Sequence, residues 1–65
     1  MRAAIAIDDW KLATFKRELT LAGYQFEELP GLTPDTLTLI VETDDLPRLR
    51  DTVQHCQNKA AEEIN

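Results

Sequence analysis

His55 and Cys56 are the only histidine and the only cysteine of the chain, and they are adjacent. An imidazole moves protons near neutral pH and a thiolate attacks electrophiles, so such a pair raises nucleophilic catalysis or metal ligation. Neighbours on a helix, however, point roughly 100° apart and do not face each other. The simpler reading is an imidazole on a helix flank beside a small buried apolar group. Only a homodimer that brought two copies together would build an active site from His55 and Cys56.

Two acidic pairs are the other candidates. Asp8-Asp9 and Asp44-Asp45 each follow an alternating apolar segment and open a helical stripe. With the first and third strands parallel, both pairs would share one rim at the carboxyl ends of those strands. Hard cations favour such oxygen-rich rims, and two carboxylates there could also do acid/base work. Helix capping accounts for each pair locally, because a carboxylate accepts from the free N–H groups of a first turn. No phosphate-binding glycine pattern, paired metal motif or nucleophile elbow occurs. The expectation is therefore a chain with no catalytic residue, no cofactor and no resident metal, and not an enzyme.

The elements that position these residues follow from periodicity. Segment 3–7 puts Ala3, Ile5 and Ile7 on one side of a strand and Ala4 and Ala6 on the other,. Leu12, Phe15, Leu19 and Ala22 then recur at helical spacing, with Gly23 placed to close that helix in the left-handed conformation,. Segment 24–29 alternates aromatic with polar residues before Pro30-Gly31 and reads as a short strand ending in a turn,. Segment 36–41 is the clearest strand, with Leu37, Leu39 and Val41 on one face and Thr36, Thr38 and Ile40 on the other,. Pro47 falls in the first turn of a second helix, whose stripe runs through Leu46, Leu49, Val53, Cys56 and Ala60,. The tail 61–65 has no stop signal and could extend that helix or fray.

The order strand, helix, strand, strand, helix predicts one α+β domain over residues 1–65, a ferredoxin-like βαββα two-layer sandwich. Its three-stranded sheet has the order 1-3-2, with both helices on one face. The expected core is Ile5, Ile7, Leu12, Phe15, Leu19, Leu37, Leu39, Val41, Leu46, Leu49 and Val53. The fourth strand of the full plan, beside the first, is missing. The other face then carries Ala4, Ala6, Thr38, Ile40 and one side of the second strand, either Tyr24/Phe26 or Gln25/Glu27, a flat and mildly apolar surface of the kind a symmetry mate covers. The stiff loop 30–35 adds Leu32 at an exposed tip, either as a contact point of low entropic cost or as a structural turn.

Composition bounds the partners. A chain of 65 residues buries only about 60% of its unfolded surface, so a partner is a reasonable source of extra stability,. Seven Lys/Arg against twelve Asp/Glu give a net charge of −5, which disfavours direct binding to nucleic acid or an anionic membrane,. One cysteine excludes an intramolecular disulfide and fits a reducing compartment,. Only five apolar residues separate Arg2 from Asp8-Asp9, shorter than the apolar core of an export signal, and no run approaches a membrane span,. These features predict a cytoplasmic location.

Two resemblances extend the reading. The run Ala3-Ala4-Ile5-Ala6-Ile7-Asp8-Asp9-Trp10-Lys11, with Pro30-Gly31-Leu32-Thr33-Pro34-Asp35-Thr36-Leu37, resembles small uncharacterised proteins carried by bacteriophages and prophages. That resemblance implies a setting, the cytoplasm of a host cell, and assigns no site residues. The element order and the entry Asp44-Asp45-Leu46 into the second helix are similar in topology to ACT-like modules. There Asp8-Asp9 stands where amino-acid-binding ACT domains carry a glycine-bearing loop. The function expected is a non-enzymatic interaction module that homodimerises through its open sheet and binds a host protein. The alternative is an ACT-like regulatory domain that senses a small ligand or divalent ion at Asp8, Asp9, Asp44 and Asp45.

Overall fold

The computed structural model describes residues 1–64. The chain runs β1 (Arg2–Asp8), a single 3-10 turn (Asp9–Lys11), α1 (Leu12–Leu21), β2 (Phe26–Pro30), β3 (Thr36–Glu42) and α2 (Leu46–Ile64). The three strands form one sheet in the order β1-β3-β2. One face packs against the helices. Ile7, Leu39 and Val41 from the strands meet Phe15 and Leu19 of α1 and Leu49 and Cys56 of α2, with Ile5, Leu12, Leu37, Val53 and Phe26 partly buried around them. Fully burying each large apolar side chain contributes about 1.5–3 kcal/mol, so this layer is what holds a chain of such modest size together.

Strand direction differs from the sequence expectation. β1 pairs antiparallel with β3, and β2 also pairs antiparallel with β3. The crossover through α1 therefore makes β1 parallel to β2, one strand away, and β3 returns between them. The physical reason is that the strand reached by the crossover is the next one in sequence, not the next one in space. Asp8 consequently lies at the end of the sheet beside Thr36, while Asp44 and Asp45 follow Glu42 at the opposite end, which faces Arg2. The two acidic pairs do not share a rim.

Local chemistry sets the ends of the helices. Gly23, at φ +86°, closes α1. Its N–H donates to the Thr20 carbonyl and the Tyr24 N–H to the Leu19 carbonyl, both at 3.0 Å, the paired bonds of a Schellman turn,. Asp45 caps α2 by accepting from the Arg48 N–H at 3.1 Å, while its own N–H donates to Thr43 Oγ1 at 3.0 Å,. Asp8 makes no such side-chain cap. The Asp9 N–H donates to the Asp35 carbonyl at 2.8 Å, which prolongs the β1–β3 ladder, and the 3-10 turn then leads into α1. Trp10 lies in that turn, half exposed.

Two further departures concern burial. Leu46, expected in the core, is 38% exposed as the first residue of α2. Cys56 and Ala60 are buried, and Tyr24 joins the core from the turn after α1. α2 continues through the segment for which fraying was an alternative, as far as Ile64; Asn65 lies outside the described residues.

Candidate interaction surface

The face of the sheet opposite the helices is bare. From β1 it takes Arg2, Ala4, Ala6 and Asp8, and from β3 Thr36, Thr38, Ile40 and Glu42, because alternate residues of a strand share a face,. Register brings Ala4 opposite Ile40 and Ala6 opposite Thr38. On the other side of β3, Glu27 lies opposite Ile40 and Leu29 opposite Thr38. The four residues singled out by alternation, Ala4, Ala6, Thr38 and Ile40, thus form one patch. Leu29, 42% exposed, extends it. A shallow depression of about 300 Å³ lies in this patch, lined by Arg2, Ala3, Ala4, Leu29 and Ile40.

Leu29 was not among the expected residues. Its side depends on whether Tyr24 and Phe26 or Gln25 and Glu27 turn to the helices, and Phe26 does so within the strand. Alternation from Phe26 then turns Glu27 and Leu29 outward, a signal present in the sequence once that anchor is fixed.

One end of the patch is charged. Arg2 reaches across β3 to Glu27, Nη2 to Oε1 at 3.1 Å, and its Nε lies 3.7 Å from Glu42 Oε1. The other end carries Asp8, whose carboxylate is 3.9 Å from Lys11 Nζ. All four carboxylate and guanidinium groups on this face are more than half exposed, so these pairs orient side chains more than they stabilise the fold,.

The remaining expected residues are elsewhere. Leu32 is fully exposed at the tip of the β2–β3 loop, beyond the end of the sheet and separate from the bare face. That loop is rigid because Thr36 ties it: the Gly31 N–H donates to the Thr36 carbonyl at 3.1 Å, and the Thr33 N–H to Thr36 Oγ1 at 3.2 Å. Asp44 stands at the opposite end, fully exposed, 3.9 Å from the Met1 ammonium.

Comparisons of the chain with protein-family models, with curated proteins and with solved structures return no match.

The helix side holds the polar residues that could do chemistry. His55 Nε2 lies 2.7 Å from Glu18 Oε1, and Arg17 Nε donates to Glu18 Oε2 at 3.0 Å. Arg17 also pairs with Glu63, whose other oxygen accepts from Thr14 Oγ1 at 2.6 Å. The result is a chain of contacts from Thr14 through Glu63, Arg17 and Glu18 to His55 that binds α1 to α2. Arg17, and then His55, hold the Glu18 carboxyl below its ordinary range,. Thr14, and then Arg17, do the same for Glu63.

Cys56 faces the other way, wholly buried. Burial, reinforced by the negative charge of Glu18, pushes its thiol up to about 11,. At neutral pH it is a protonated packing group, while its neighbour His55 stands in solvent engaged with Glu18. Among the described residues, no three His, Cys, Asp or Glu side chains converge as metal ligands would. No described helix is long and apolar enough to cross a membrane.

Proposed function

We propose that the chain is a non-enzymatic protein-interaction module of phage or prophage type. It associates with a second copy through its open sheet and presents the surface that remains to a host protein in the cytoplasm. The observation that carries this reading is the bare face itself: Ala4, Ala6, Leu29, Thr38 and Ile40 lie together on a sheet covered on its other side only. A two-layer domain buries one face of its sheet, and an apolar second face is commonly completed by another molecule. The element order and the sheet order β1-β3-β2 follow the ferredoxin-like plan, and β1 is an open edge as well. The acidic balance favours a protein partner over nucleic acid or membrane,. The resemblance in segments 3–11 and 30–37 supports the setting.

Light scattering coupled to size-exclusion chromatography, over a dilution series, tests the self-association. The expected mass is twice that of the 7.4 kDa chain at high concentration, falling on dilution. A mass of one chain at every concentration overturns it. The host-binding part is tested by a photo-crosslinker at Leu32, fully exposed and outside the bare face, in bacterial lysate, and failure to trap one stoichiometric protein overturns that part alone. Sensing of a ligand or divalent ion would now have to rest on one acidic pair rather than two. A thermal shift with Ca²⁺, Mg²⁺ or Mn²⁺ would reveal it, since a native-state ligand raises stability.

A further inference from the structure

We propose that β1 is the pairing edge: two copies align their β1 strands antiparallel about a twofold axis at Ile5, joining two three-stranded sheets into one of six. This rests on the self-association proposed above and specifies its strand and register.

The free backbone groups can be read from the existing ladder. The Thr43 N–H donates to the Met1 carbonyl at 2.9 Å, and the Asp9 N–H to the Asp35 carbonyl at 2.8 Å. Both pairs continue the register that sets Ala3 opposite Val41, Ile5 opposite Leu39 and Ile7 opposite Leu37. Hydrogen-bonded pairs alternate along an antiparallel ladder, so the odd-numbered residues of β1 are bonded to β3. The N–H and C=O groups of Arg2, Ala4, Ala6 and Asp8 therefore point outward from the edge of the sheet.

Pairing about Ile5 matches that pattern. It sets Arg2 opposite Asp8 of the second copy and Ala4 opposite its Ala6, and both are the hydrogen-bonded positions. Every outward group of each strand then finds a partner. Shifting the axis to Ala4 or Ala6 keeps the parity but loses outer bonds and separates Arg2 from Asp8. Only the Ile5 axis brings these opposite charges together at both ends, a complementarity that fixes register more than affinity. On the helix side, Ile5 meets its own copy at a close, non-bonded position, and Ala3 meets Ile7. Beside Ile5 lies a depression of about 170 Å³ lined also by Leu46, Leu49, Arg50 and Val53, an apolar lip that the second copy would cover.

The edges of the sheet differ in what they permit. β2 is five residues long, with Glu27, Glu28 and Pro30, features that block strand addition. β1 is seven residues long, with no proline and no lysine.

Ala6→Pro tests this, because it removes an outward N–H and leaves the bonds to β3 intact. Circular dichroism checks the fold, and light scattering over a dilution series reads the mass. The expected result is a folded chain whose dimer dissociates at tenfold or more higher concentration. The second test is charge reversal. Arg2→Asp and Asp8→Arg each weaken the dimer about tenfold through two like-charge contacts, and the double variant restores it. A wild-type dimer that Ala6→Pro leaves unchanged in a folded protein overturns the β1 edge but not self-association. If Ala6→Pro does not fold, single reversals without effect, or a double variant without recovery, overturn it. A wild type that is monomeric throughout overturns self-association itself, and with it this inference.

Discussion

The Arg48 guanidinium lies over the ring of Tyr24, 5.0 Å from its centroid, and its Nη2 donates to the Ala22 carbonyl at 3.0 Å. One side chain from the first turn of α2 thus satisfies a carbonyl at the end of α1 and roofs the aromatic ring beneath it. Arg48→Ala should lower stability by about 1–2 kcal/mol in urea unfolding, since both the cation–π contact and a charged hydrogen bond are lost. Arg48→Lys should recover less than half, because an ammonium neither stacks nor spans the two partners.

Beneath that roof, the buried Tyr24 hydroxyl has no hydrogen-bond partner among the described residues. Removing a buried polar group that has no partner removes its desolvation cost. Tyr24→Phe should therefore leave stability within about 0.5 kcal/mol of the wild type or raise it, with urea midpoints as the readout.

The two glycines should respond differently to alanine. At Gly31 a Cβ would stand 2.2 Å from Thr36 Oγ1 and 2.5 Å from the Thr36 carbonyl group, so the backbone of the β2–β3 loop must move. Gly31→Ala should cost more than about 2 kcal/mol and loosen the amide protection of the loop in hydrogen exchange. At Gly23 nothing lies within 4 Å, and only the positive φ opposes a side chain. Gly23→Ala should cost about 1 kcal/mol, with the loop unchanged.

Acid should act through the carboxylates that join the helices. Glu18 and Glu63 have folded values held below the ordinary one near 4.3, so their contribution is present above that pH and is lost as pH falls through the lower folded values,. Thermal unfolding between about pH 5 and pH 2 should show the loss, and Glu18→Gln or Glu63→Gln should flatten this limb of the profile.

Cys56 sets the alkaline limit. With a folded value of about 11, above the ordinary thiol value, its contribution is whole below about pH 8.5 and is lost as pH rises through the folded value,. At pH 8 an alkylating reagent should label it only as fast as the native state opens, slowing in proportion to stability. Labelling at the rate of a free thiol would show that α2 does not bury it.

The elements themselves were legible in the chain. The alternation in 36–41 fixed both faces of the central strand, and the stripes Leu12–Phe15–Leu19 and Leu49–Val53–Cys56 fixed the inner sides of the helices. Strand direction does not follow from alternation, which has no polarity, but from the connections: the crossover through α1 sets β2 parallel to β1 and the hairpin returns β3 antiparallel between them, which separates Asp8 from Asp44,. Asp8 and Asp45 have the same side chain before a helix, yet only Asp45 caps; the Asp8 carboxylate accepts no N–H of the turn that follows it,. Of the bare face, Ala4, Ala6, Thr38 and Ile40 followed from pattern, while Leu29 required knowing that Phe26 anchors β2.

The acidic, proline-ended β2 has a meaning for how far the protein can grow. A sheet permissive at both edges adds copies without limit, and its product is a fibre. A sheet permissive at one edge adds one neighbour and is then finished. Glu27, Glu28 and Pro30 make no contribution to the core, yet in the proposed dimer they would cap the number of strands at six,. If the proposed pairing holds, replacing them with β-branched residues would open the second edge and let the dimer polymerise.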